Sequence, residues 1–122
     1  MITNFEEITY DITEPEKRAS RYVERILRSQ NKYFNNTEIS TMIFNASGKL
    51  KEFDYKDARI RKIINYLRLT TAPNIVASSK GYKVSNNIEE LTKYHLSLME
   101  RIDAINNIAI QTETYLNSIK NA

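Results

Sequence analysis

Residues 57–68 read DARIRKIINYLR, and in them Arg59, Arg61, Lys62, Asn65 and Arg68 share one short stretch with Ile60, Ile63, Ile64 and Leu67. Guanidinium and ammonium groups bind phosphate. Arginine can also pair bidentately with guanine, and asparagine with adenine. No other part of the chain gathers so much recognition chemistry. Catalytic chemistry is missing by comparison. Cysteine is absent and His95 is the one histidine, so thiolate metal sites and disulfides are excluded and His95 has no second imidazole to share a metal. No GxxxxGK[ST], GxGxxG or HExxH motif occurs. Asp54 and Asp57 flank a helix start, where carboxylates suit the helix dipole, and Glu89 and Glu90 open the last helix in the same way. No nucleophile sits beside a base, so the sequence predicts neither an enzyme nor a cofactor.

Charge is distributed unevenly. The 122 residues carry a net +3, but residues 1–16 carry −5, residues 17–83 carry +10 and residues 84–122 carry −2. A basic middle of this kind suits a polyanionic partner, although a solvated helical surface gives the same count. Two glycines and two prolines leave room for long helices and little room for a many-turned β fold. No apolar run reaches the ~18 residues of a membrane span. The acidic start MITNFEEITYDITEPE lacks the order of a signal peptide, and the expectation is a cytoplasmic protein with no membrane partner.

The elements that must position the basic residues follow from spacing. FEEITYDI, residues 5–12, alternates loosely and reads as a short strand or an arm. Thr13 with Glu16 three residues on has capping-box spacing, Pro15 is tolerated in a first turn, and Ala19, Tyr22, Val23, Ile26 and Leu27 make a buried stripe. A first helix is therefore expected over about 15–30, with Arg18, Arg21, Arg25 and Arg28 off its stripe. NKYFNN breaks the pattern. Thr37 then caps a short helix with Ile39, Met42 and Ile43 on its apolar face, and NASGKLKEF is a loop turning at Gly48. Asp54 caps a third helix, 54–69, whose buried face is Ile60, Ile63, Ile64 and Leu67. A helical wheel puts Tyr55, Lys56, Arg59 and Lys62 on or near the outer face, with Arg61, Asn65 and Arg68 on its flanks. After Pro73, IVASSKGYKVS reads as a β-hairpin over 75–85, with Gly81 supplying the positive φ of a tight turn.

The stretches DARIRKIINYLR, APNIVASSKGYKV and NNIEELTKYHLSLMERIDAI, in this order, resemble the winged helix-turn-helix DNA-binding proteins of bacteriophages and mobile elements. In those proteins a recognition helix of the form IR-x-I-[IV]-N-x-LR runs into a hairpin ending in S-x-x-GY. The resemblance covers about residues 15–105. It departs from the pattern in the long connection Phe44–Asp54, in the first 14 residues and at the end of the last helix. It implies a mainly α fold with a small β-hairpin: an N-terminal arm 1–14, a winged helix-turn-helix domain 15–86 and a long C-terminal helix 87–122. Function would be that of a phage-type transcriptional regulator in a bacterial host cell. The implied double-stranded DNA contacts are Lys56, Arg59, Arg61, Lys62, Asn65 and Arg68 on the recognition helix, with Ser79, Lys80 and Lys83 on the wing. Winged helices also dock proteins, so a virion or replication component binding another phage or host protein is the alternative.

The last helix adds a second expectation. Leu91, His95, Leu98, Ile102, Ile105, Ala109, Thr112, Leu116 and Ile119 alternate spacings of four and three, a heptad seam over four repeats. Such a helix would run on the order of 45 Å, longer than a small domain can cover. A homodimer joined through this seam is expected, with His95 and Thr112 as its polar positions.

Overall fold

A computed structural model describes residues 12–45 and 57–121. The order is α1 (Glu14–Ser29), α2 (Asn36–Phe44), α3 (Asp57–Leu69), β1 (Ile75–Ser78), β2 (Gly81–Val84) and α4 (Ile88–Lys120). The fold is mainly helical with one two-stranded antiparallel hairpin and a long C-terminal helix, as the sequence predicts. The chain divides after Asn87 into two units. The expected strand 5–12 begins before the described residues. The Gly48 turn, the Asp54 cap, Tyr55 and Lys56 also lie outside them.

In the first unit, Thr13 caps α1 from an extended conformation (φ −82°, ψ 164°), and the full capping box with Glu16 is present. Ala19, Val23 and Leu27 are buried, while Tyr22 and Ile26 pack half-buried against the core. The cap of α2 differs from the expected Thr37. Asn35 Oδ1 accepts from Glu38 N–H at 2.8 Å, and Glu38 Oε1 accepts from Asn35 N–H at 3.1 Å. Asparagine caps at least as well as threonine, and here the carboxylate sits three residues on to close the box. Ile39 and Ile43 are buried, but Met42 is 41% exposed and does not join the core face. All four aliphatics of α3, Ile60, Ile63, Ile64 and Leu67, are buried as the wheel predicts. The helix closes with Ala72 N–H donating to Leu67 O at 2.8 Å, just before Pro73.

The hairpin pairs Ile75 with Val84 and Ser78 with Gly81, leaving Ser79 and Lys80 at the turn. A third lane lies beside it. Phe34, between α1 and α2, bridges Tyr82 with both backbone hydrogen bonds, at 2.8 and 2.9 Å. Its side chain is fully buried and is the largest in the core. Gly81 is required twice over. Its φ is +124°, and a Cβ there would lie 2.1 Å from Phe34 O, so neither the turn nor the bridge admits a side chain.

The second unit is α4 alone. Its 33 residues begin with Glu89 and Glu90 in the first turn, end with Lys120 in the last, and include no buried residue.

Candidate nucleic-acid interface

The polar side of α3 is built differently from the wheel. Arg59 Nε lies 2.9 Å from Glu16 Oε2, and Lys62 Nζ lies 2.9 Å from Glu16 Oε1. Both cations thus lean onto α1, and neither stands free on an outer face. Glu16 is 2% exposed. Its carboxylate also accepts from Thr13 N–H at 2.9 Å and Thr13 Oγ1 at 3.0 Å. Burial alone would raise the Glu16 pKa. Hydrogen bonds from Lys62, the Thr13 N–H, Arg59 and the Thr13 hydroxyl outweigh it and hold the group at about 2. The physical reason for the departure is the capacity of one carboxylate. Two oxygens offer about four lone-pair sites, so capping α1 leaves room for two cations from α3. Glu16 enters the sequence reading as a cap only, and the spacing of three that marks the cap carries no sign of a partner 43 residues away.

Asn65 and Arg68 form a second tie. Arg68 Nη1 donates to Asn65 Oδ1 at 3.2 Å, its Nε donates to Ile75 O at 3.1 Å, and its guanidinium sits 5.7 Å from the centre of the Tyr82 ring. This fork joins α3 to both strands of the hairpin. Lys83 Nζ lies 5.3 Å from the Tyr33 ring centre. Arg61 is half-buried, and Ser79 and Lys80 are exposed at the hairpin turn. Of the nine residues read as DNA contacts, α3 gathers Arg59, Arg61, Lys62, Asn65 and Arg68, the hairpin gathers Ser79, Lys80 and Lys83, and Lys56 lies outside the described residues.

More cations stand on α1, where the sequence reading assigned no role. Arg18, Arg21, Arg25 and Arg28 are exposed. Arg25 lies over the Tyr22 ring at 5.6 Å, and Arg28 Nε donates to Glu24 Oε2 at 2.9 Å. Glu24 is held below the usual carboxylate range by the Thr71 hydroxyl, which donates at 2.7 Å, and by Arg28, against the opposing effect of burial. Arg18 and Arg21 line a cleft of about 290 Å³ together with Tyr66, Thr70 and Thr71. The signal available in the sequence was the spacing of Arg18, Arg21, Arg25 and Arg28 off the apolar stripe.

The residues expected to self-associate all lie on α4. Leu91 and Ile105 are half-exposed, and His95, Leu98, Ile102, Ala109, Leu116 and Ile119 are exposed. Among the described residues no group of three or more His, Cys, Asp or Glu is placed to hold a metal, and no helix is long and apolar enough to cross a membrane. No family model, curated protein or solved structure matches the chain.

Proposed function

We propose that the first unit is a winged helix-turn-helix domain that binds double-stranded DNA, in the manner of a phage-type regulator, with α3 toward the major groove and the 75–84 hairpin as wing. The observation that carries this reading is the way α3 is mounted. Its four aliphatics are buried, and the Arg68 fork and the Glu16 clamp fix it to the hairpin and to α1. A helix held on both flanks presents the remaining side, with Ala58, Arg61 and the amide nitrogen of Asn65, whose oxygen is in the Arg68 fork, at a constant angle to a groove. The order of elements and the +10 charge of residues 17–83 agree with it.

The contacts are redistributed relative to the sequence reading. Arg61 and Asn65 become the base-edge candidates on α3, and Lys80 reaches a phosphate from the wing tip. Arg59 and Lys62 serve first to hold α3 on α1. Selection of bound duplexes from a random library tests the proposal. Enrichment of a motif that weakens with Asn65→Ala or Arg61→Ala supports base readout, and recovery of no duplex refutes it.

A second reading has its own observation. Arg59 and Lys62, two of the three cations expected on the outer face of α3, are both held by Glu16, which lowers the free charge available to a polyanion. Exposed Met42 and Phe44 on α2 would then belong to a protein-docking face. A stoichiometric protein partner that co-purifies with a chain lacking DNA affinity would favour it.

A further inference from the structure

The seam of α4 has an internal symmetry that selects its partner. Including Ile88, it runs to Ile119 in two rows, one of Ile88, His95, Ile102, Ala109 and Leu116, the other of Leu91, Leu98, Ile105, Thr112 and Ile119. No residue of α4 is buried, and Ile88, Ile102, Leu116 and Ile119 are 83, 56, 46 and 55% exposed. We propose that two copies of this chain pair through α4 as an antiparallel two-helix coil centred between Asp103 and Ala104.

Three observations choose this occupant and this direction. The first is layer matching. In an antiparallel coil a knob from one row packs against the other row of the partner. Centred there, His95 meets the partner's Thr112, Leu98 meets the partner's Ala109, Ile102 meets the partner's Ile105, and the outer layers are Leu91 with the partner's Leu116 and Ile88 with the partner's Ile119. Every layer is filled from Ile88 to Ile119. The two polar positions face each other, and the smallest residue faces a leucine. Each of these layers occurs twice by the two-fold, so either direction has two polar layers, but a parallel pair would stack His95 on His95, Thr112 on Thr112 and Ala109 on Ala109, matching like with like and leaving one layer thin.

The second observation is charge. The first turn is acidic and the last turn carries Lys120. Antiparallel pairing sets these ends side by side and opposes the helix dipoles, whereas parallel pairing sets acidic turn beside acidic turn. The third is area. A half-exposed large aliphatic offers on the order of 60–80 Å², so the seven large aliphatics of the seam supply about 420–560 Å² per copy, and His95, Ala109 and Thr112 extend this toward the roughly 600 Å² per copy at the lower end of stable interfaces. Because each layer's match lies in the same sequence, the surface is self-complementary, as a two-fold interface requires. The inference stands apart from the DNA-binding reading and holds or fails without it.

The chain has no cysteine, so an introduced thiol is unique. Full-length Leu98→Cys and Ala109→Cys proteins are oxidised separately and as an equimolar mixture, then run on a non-reducing gel. A disulfide-linked dimer in the mixture alone is expected. In an antiparallel pair the two copies of either single thiol lie about 16 Å apart along the axis, too far to bridge. Cross-linking of Leu98→Cys with itself would overturn the proposal. In sedimentation at micromolar concentration, wild type should show twice the 14.3 kDa chain mass. Ile102→Asp should halve that mass, and Asn107→Asp, on the opposite side of α4, should leave it unchanged. A wild-type monomer would overturn the proposal as well.

Discussion

The two units contain apolar spacing of similar regularity and reach opposite outcomes. In the first, Val23, Leu27, Ile60, Ile63 and Ile64 are buried against one another, with Phe34 and the hairpin closing the core. In α4, an equally regular seam stays open along 33 residues. The difference lies in the partners. α1, α2, α3 and the hairpin supply complementary faces within a short stretch of chain. α4 makes up a unit by itself and buries none of its residues, and a single helix draws little stability from propensity alone. The ion pairs divide in the same way. In the first unit a buried carboxylate gathers two cations, while Lys93 and Glu89 on α4 approach only to 3.9 Å, both largely exposed, where such a pair contributes little.

This contrast can be broken at graded points. The largest effect is expected in the core. Phe34→Ala should destabilise the first unit by about 3–5 kcal/mol in chemical denaturation, while Ile110→Ala on α4 should leave that transition within about 0.5 kcal/mol. Next comes Glu16. With its pKa at about 2 in the folded chain and 4.5 ordinarily, its stabilisation is complete above pH 4.5 and is lost as pH falls through 2. The amount at stake is on the order of 3 kcal/mol. Denaturation midpoints measured from pH 7 to pH 2 should show an acid-sensitive limb that Glu16→Gln flattens, at a cost near neutral pH of about 3 kcal/mol. The cap of α2 is a smaller test, since Asn35→Ala should cost about 1 kcal/mol while Thr37→Ala costs less. At the hairpin tip, Lys80→Ala should move stability by less than about 0.5 kcal/mol, yet reduce the salt slope of duplex binding by about 1.

Much of the first unit was legible because its signals are local. The Thr13–Glu16 box, the α3 face and the Gly81 turn each lie within a few residues, and all three appear in the fold. What escaped depends on contacts distant in sequence. The Phe34–Tyr82 bridge is a single pair, and one residue has no period. NKYFNN therefore read as a break, although it carries the largest core side chain. Glu16 was visible as a cap but its hold on Arg59 and Lys62 was not, because the wheel of α3 contains no information about α1. The same blindness left Asn65 and Arg68 as neighbours on a flank when they form a fork to Ile75 O. For α2 the expected cap was Thr37, and Asn35 takes the place because Glu38, three residues after it, closes the box. The elements that carry the candidate residues were thus legible in the sequence, whereas the hold of Glu16 on Arg59 and Lys62 was not.

We propose that the first unit binds duplex DNA through charges outside the Glu16 clamp. Fluorescence anisotropy of a labelled duplex, titrated with the full chain from low to physiological salt, tests it most directly. Binding is expected at micromolar protein or below in low salt, with log affinity falling linearly against log salt and a shallower line for Lys80→Ala. Absence of binding at micromolar protein in low salt, or affinity indifferent to salt, would contradict it.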